Sequence, residues 1–299
     1  MRRSGICLFL MAVLLFSSFT SQSAFTAPIN SNVALPVKKG GLVFRTQMRW
    51  IKASDDPTNK NRERDVIIQP NVLLYGATED LALFAIFPYL FRTRKFPDPE
   101  TGKRINQKQN GPGDLSLIAR YTAFTKHFHS GEFKIAPLVG IKIPTGDEDL
   151  RPITTGSYDF EFGAVTKASL NHKRHELVGD AVYRINTEDD NFEKGDSLTY
   201  DFSFHHRIFP WNVPEGGLKN FVQLVAESNG FFSKRNSVNG VIDKNSGGHI
   251  LFVAPGIQAK VSRFVFESSF QIPVIQDLNG NQIEADFAWT LGVIINIFK

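Results

Sequence analysis

Ser203 and His205 lie two residues apart with His206 next to them, so one short segment holds a hydroxyl and an imidazole, the groups from which a nucleophile and its general base are built. In an extended chain, side chains at i and i+2 stand ~7 Å apart, beyond the ~3 Å hydrogen bond that activates a nucleophile. No G-x-S-x-G elbow accompanies them, and an outer-membrane phospholipase-like activity is set aside on that geometry. His127 with His129 and His172 with His175 fall in short turns without further ligands at a metal-site spacing. The acidic runs Asp147-Glu148-Asp149 and Glu188-Asp189-Asp190 lack the ligand spacing of a calcium loop and read as solvated loops. No enzyme activity, catalytic residue, cofactor or metal is expected.

The elements that carry these residues are strands. The chain has 299 residues, 42% apolar and 21% charged, enough to bury a core and outside the compositions of disordered chains. Its first 24 residues read as a cleaved signal peptide: Arg2 and Arg3, an apolar run through Leu8, Phe9, Leu14, Leu15 and Phe16, then Ser21, Ser23 and Ala24. Cleavage there removes Cys7, the single cysteine, and with it any disulfide or thiol chemistry. The remainder carries 32 basic and 30 acidic residues, a balance that points away from nucleic acid.

From Gly40 onward, apolar side chains recur at every second position in runs of about ten residues, bounded by Gly, Pro, Asn, Asp or Lys. Leu198, Tyr200, Phe202 and Phe204 occupy one face, and Asp201, Ser203, His205 and Arg207 the other. Soluble strands average about five or six residues, whereas a tilted membrane-spanning strand needs about 9–11. The expected fold is all-β, a transmembrane antiparallel up-and-down β-barrel of twelve strands near 41–53, 65–76, 80–92, 113–125, 132–143, 157–169, 175–187, 196–208, 218–230, 248–260, 264–274 and 284–297. Long polar connections at 54–64, 93–112, 144–156, 188–195, 231–247 and 275–283 alternate with short ones, as extracellular loops and periplasmic turns do. Phe209 to Gly217 is the exception, long for a turn and containing two prolines. Both termini then fall in the periplasm, with residues 25–39 as an N-terminal periplasmic segment and 40–299 as one barrel domain. Trp50, Tyr75, Tyr89, Tyr121, Tyr183 and Trp211 near strand ends are candidates for interfacial girdles.

If the apolar face meets lipid, then Arg45, Arg49, Arg120, Lys142, Glu161, Lys167, Asp180, Arg184, Asp201, His205, Arg207, Glu227 and Glu267 face the lumen. Twelve strands lie between the eight that side chains fill and the sixteen or more that leave a water channel, so both a narrow path and a plugged lumen are allowed.

Four stretches in order, Gly111-Pro-Gly-Asp114 running into Leu115 to Tyr121, Pro144-Thr-Gly146, Pro255-Gly256-Ile-Gln258 and Phe270-Gln-Ile-Pro273-Val274, resemble the meta-pathway phenol-degradation family of outer-membrane transporter-like proteins from about Gly40 to the C-terminus. The resemblance implies an outer-membrane barrel associated with uptake of aromatic or other hydrophobic compounds, without catalytic residues. Outer-membrane lipid, lipopolysaccharide, the barrel-assembly machinery and small hydrophobic or aromatic solutes are its expected partners. The chain departs from the usual aromatic ending of such barrels, since Phe298 is followed by Lys299. Pro255 and Pro273 fall inside strands and suggest bulges or a lateral opening in the wall. The alternatives are a closed barrel with a structural or envelope-maintenance role and a porin for polar solutes.

Overall fold

The computed structural model describes residues 27–31, 37–214 and 218–298. The expected signal peptide lies outside them. Twelve wall strands are present among the described residues: β1 (Leu42–Asp55), β2 (Glu63–Gly76), β3 (Leu81–Pro97), β4 (in three pieces, Arg104–Pro112, Leu115–Tyr121 and Phe124–Phe128), β5 (Gly131–Ile143), β6 (Asp159–Leu170), β7 (His175–Ile185), β8 (Ser197–Phe209), β9 (Phe221–Ser233), β10 (Gly248–Val261), β11 (Phe264–Leu278) and β12 (Glu284–Phe298). Each pairs antiparallel with the next in sequence. The ring closes where β1 pairs with β12 from Leu42↔Phe298 to Asp55↔Glu284. Among the described residues the wall has no edge strand, which is the condition for crossing a bilayer with strands.

Alternation places the aliphatic and aromatic side chains outside. Val139 is 62% and Phe202 53% exposed on the outer wall, alongside Phe87, Phe162, Phe266 and Ile257. The inner face carries the charges, as the period-2 pattern requires, but one side of the lumen is apolar. Val43, Leu74, Val265 and Ile294 pack with Val72 and Phe84, while Leu138, Val165, Val178 and Val182 pack with Ile118. The sequence of β3 shows why: Leu81 to Phe87 is apolar at both parities, so its inner face is as greasy as its outer one.

The strands run further than the periodicity predicts. The 93–112 connection is mostly a hairpin, with β3 and the first piece of β4 laddered from Tyr89↔Pro112 to Pro97↔Arg104. The polar loops expected at 188–195 and 231–247 cross each other as a four-stranded sheet formed by Glu188–Asp189, Phe192–Glu193, Ser237–Val238 and Val241–Ile242. β5 ends at Ile143, one residue before Pro144, because proline cannot donate to the ladder. Pro273 stands opposite Phe252 beside a register shift. Beyond it the β11–β12 ladder stops at Gln271↔Ala288, and the side chain of Gln276 takes its place, accepting from Ala285 N at 2.7 Å and donating to Ala285 O at 3.1 Å.

Two stretches singled out in the sequence meet at the long-loop end. Asp114 accepts hydrogen bonds from Gly146 N and Thr155 N, both at 3.0 Å, Leu115 N donates to Thr145 Oγ1 at 3.0 Å, and Asp147 N donates to Pro112 O at 2.9 Å. A Cβ at Gly146 would lie 2.6 Å from Thr154 and 2.7 Å from Asp114, so only glycine allows this approach. The contacts fold the 144–158 loop inward: Leu150 is fully buried, and the Arg92 guanidinium donates to the carbonyls of Asp149, Leu150 and Arg151.

Phe202→Arg should destabilise the folded barrel by ~2–4 kcal/mol, the cost of a cation on the lipid side near mid-strand. The check is the unfolding free energy in phospholipid vesicles by denaturant titration; a change under about 0.5 kcal/mol, typical of an innocuous surface site, would contradict the outward assignment.

Candidate functional site: the barrel lumen and its occupant

All thirteen charged or imidazole side chains read from the sequence lie on the inward parity. Arg120, Lys142, Glu161, Lys167, Asp180, His205, Arg207, Glu227 and Glu267 are buried, and Arg45, Arg49, Arg184 and Asp201 half-buried. They form separate groups rather than one site. Near the long loops, Lys142 pairs with Asp114 at 3.2 Å and with Asp159, and Arg184 with Glu161 at 2.5 Å. Toward the short turns Lys167 pairs with Glu176 at 2.8 Å. Asp180 and Asp201 face each other across β7 and β8, with Asn229 donating to Asp201 at 2.9 Å. Arg120 lies 4.6 Å from the centroid of Phe84, and Arg49 stands in the field of Asp201, Glu227 and Glu267.

The remaining group grips the N-terminal segment, for residues 27–31 lie inside the barrel. The Glu227 carboxylate accepts from Ile29 N at 2.7 Å and Asn30 N at 3.0 Å. Arg45 donates to the carbonyls of Pro28 and Ile29 at 2.8 Å each and to Glu267 at 2.9 Å. Gln47 donates to Ile29 O at 2.7 Å, Gln258 to Ala27 O at 2.7 Å, and Thr290 to Asn30 Oδ1 at 3.0 Å. Backbone groups that would be orphaned inside the lumen are thus met by side chains. Gly256 explains one of the sequence stretches: a Cβ there would lie 2.7 Å from Ile29 Cδ1 and 2.9 Å from Ser268 O, so glycine makes room for the segment.

Beside the segment is a cavity of ≈ 100 Å³. Its wall is the apolar side of the lumen, with Leu74, Phe84, Ile118 and Leu138 among its residues, and Arg45, Arg120 and Ser31 also line it. The glutamines, Asn30, Thr290 and this apolar wall were missed in the sequence, where only charges were read. The inward parity of Gln47, Gln223 and Gln258 was the available signal.

The Ser203 and His205 expectation needs correction. Ser203 Oγ and His205 Nε2 are 2.7 Å apart, because the two side chains lean toward each other in the buried lumen instead of standing at the ideal strand spacing. The network still opposes nucleophile activation. Gln258 Nε2 donates to Ala27 O and Glu267, so its oxygen receives Gln223 Nε2 at 2.6 Å. Gln223 Nε2 also donates to His205 Nδ1 at 3.0 Å. That fixes the imidazole proton on Nε2, pointing at the serine, whose own hydrogen faces Glu227 at 3.4 Å. A general base needs the opposite tautomer.

Elsewhere the histidines pair differently from their sequence grouping. His175 meets His206 of the adjacent strand, Nδ1 to Nδ1 at 3.2 Å, a cross-strand contact that spacing along the chain does not show. The two acidic runs are linked by Arg151, which reaches Asp189 at 2.5 Å. Among the described residues, no cluster of three or more potential metal ligands occurs.

The matches to known proteins follow this geometry. The family model described as Putative MetA-pathway of phenol degradation matches residues 59–272, and the chain belongs to that family. An outer membrane channel from Pseudomonas putida F1 superposes with a TM-score of 0.65 at 12% identity, over 89% of this chain and 99% of that one. The translocator domain of the autotransporter NalP from Neisseria meningitidis gives 0.47 at 11%, over 87% and 89%, and the beta domain of the Bordetella autotransporter BrkA 0.46 at 12%, over 87% and 100%. The first shares the fold. None of the curated proteins matches the chain.

Glu227→Ala removes the charged acceptor of Ile29 N and Asn30 N, worth about 1.5–3 kcal/mol, so hydrogen exchange of the 27–31 peptide should quicken by ~10–150-fold while exchange in β5–β7 stays unchanged. Unaltered exchange at 27–31 would contradict the anchoring. A second expectation concerns Lys194, in the β7–β8 loop. Burial, together with Arg184 and Lys142, lowers its pKa to about 8. The unfolded chain then holds the proton more tightly than the fold, so stability rises with pH from about 8 to the ordinary lysine range near ~10.4. Denaturant midpoints at pH 7.5 and 9.5 should show that rise in the parent and a smaller one in Lys194→Gln.

Proposed function

We propose that this protein is an outer-membrane channel for passive uptake of small molecules, with hydrophobic or aromatic solutes as cargo and residues 27–31 as a removable stopper. The observation that carries the reading is the apolar cavity of ≈ 100 Å³ held between the stopper and the wall. A dry cavity of ~150 Å³ suffices to bind benzene, so a small ring finds matching chemistry here once the segment yields a little. Membership of the phenol-degradation family and the fold shared with an outer membrane channel support the same reading. The apolar outer belt suits lipid, and lipopolysaccharide at the long loops and the barrel-assembly machinery are the partners such a protein needs. No chemistry is proposed, in line with the direction of the Ser203–His205 hydrogen bond.

Where β11 and β12 part beyond Gln271↔Ala288, a solute leaving the lumen sideways meets fewer ladder bonds than elsewhere. A barrel with a purely structural role would need neither this gap nor a polar grip on a segment of its own chain.

The test is conductance in planar bilayers. The chain from residue 25 should pass little current, a variant lacking residues 25–31 at least several times more, and phenol or toluene should block the open variant. Arg120→Ala and Arg184→Ala should each shift ion selectivity toward cations. No increase on deletion, from a barrel shown to be folded, would favour the closed structural reading.

A further inference from the structure

At the short-turn end, the β7–β8 ladder continues one rung past His206↔His175, where Arg207 N donates to Arg174 O at 2.9 Å. Arg174 and Arg207 are therefore direct cross-strand neighbours, on the parity that faces the lumen. Side chains so placed have Cβ atoms about 4.5–5.5 Å apart, and like charges there destabilise the pair. Glu176, two residues along the same face, acts on Arg207 through its field, while its ion pair is with Lys167 at 2.8 Å.

Both residues are more than nine-tenths buried, at 8% and 3% exposed, and both keep buried N–H groups without a partner, Arg174 Nη2 and Arg207 Nε. Buried donors left open in this way call for an explanation, because each costs about 1–3 kcal/mol, more when charged. Arg207 spends one N–H on the carbonyl of Pro210. The Cζ of Arg174 lies over the indole of Trp211, 2.9 Å from its centroid. An aromatic plate on one side and open N–H groups on two neighbouring cations make a fork suited to a planar or tetrahedral oxyanion.

We propose that Arg174 and Arg207, roofed by Trp211, form a binding site for a small oxyanion group, a carboxylate or a phosphate. The bound anion bridges the two cations and converts their repulsion into two charge-assisted contacts. The site does not depend on the lumen being a conducting path. Two sources supply such a group at a periplasmic mouth: a free solute and an anionic lipid headgroup.

The experiment uses the chain from residue 25 with Trp50→Phe and Trp289→Phe, leaving Trp211 as the reporting indole, in maltoside micelles at fixed ionic strength. Replacing chloride stepwise by phosphate or by acetate should change Trp211 emission saturably and raise the unfolding temperature. In Arg174→Gln and in Arg207→Gln the half-saturating concentration should rise at least tenfold, while both variants, relieved of the repulsion, melt no lower than the parent in chloride. Arg151→Gln, at the other end of the barrel, should behave as the parent. A response to phosphate or acetate assigns the site to free anions. A response only in nanodiscs containing phosphatidylglycerol, absent in phosphatidylcholine, assigns it to headgroups. No saturable response to any of the three, from a barrel shown to be folded, overturns the proposal, as does a response that both glutamine variants retain.

Discussion

Everything in this molecule depends on closing the backbone ladder. A strand edge in hydrocarbon leaves a row of N–H and C=O groups with nothing to bond, at several kcal/mol for each unsatisfied group, so the β1–β12 pairing is what completes the other eleven ladders and allows the strands to exist in a membrane. Closure also fixes the inside: once one parity is turned to lipid, the other is confined to a lumen too small for sixteen-strand solvation and too large to be filled by wall side chains alone.

That lumen is satisfied in three ways. Toward each mouth an ion pair does this, Lys142 with Asp114 at one and Lys167 with Glu176 at the other. Along the β2–β5 side the problem is avoided by apolar side chains such as Leu74, Phe84 and Leu138. In the middle, the chain supplies its own partner: residues 27–31 present backbone donors to Glu227 and carbonyls to Arg45, Gln47 and Gln258. Charge-assisted bonds to an uncharged backbone hold the segment without burying a further charge. The arrangement also explains why Ser203 and His205, though in contact, are bound into the glutamine relay and held in a tautomer unsuited to catalysis.

The wall was legible in the sequence because a two-residue period over spans of ten or more leaves few other folds open, and the alternation of long and short connections set the strand order. Strand ends were less legible. The β3–β4 hairpin carries its ladder through Arg94, Lys95, Asn106 and Gln107, polar residues whose pairing comes from geometry and not from burial. The inner surface was legible only where it is charged. The apolar patch was hidden because β3 is apolar at both parities, which period-counting assigns to the outside alone. The lodging of residues 27–31 left no periodic trace, since its contacts run through backbone groups that every sequence has. Gly256 was noticed without its reason, which is the space Ile29 needs. The acid and amide residues that hold the loops inward were half seen: Asp114 and Gly146 stood out individually, and only the fold brings them within 3.0 Å.

The claim at the centre of this account is that the N-terminal segment occupies the lumen and sets whether anything passes. Because the single cysteine, Cys7, lies in the expected signal peptide, Asn30→Cys with Thr290→Cys provides one engineered pair at a place where the two side chains already touch. The decisive measurement is bilayer conductance of this double variant before and after reduction, with disulfide formation verified by mass. The account predicts a nearly silent oxidised channel whose current rises on reduction in the same membrane. Equal conductance in the bonded and reduced states would contradict it.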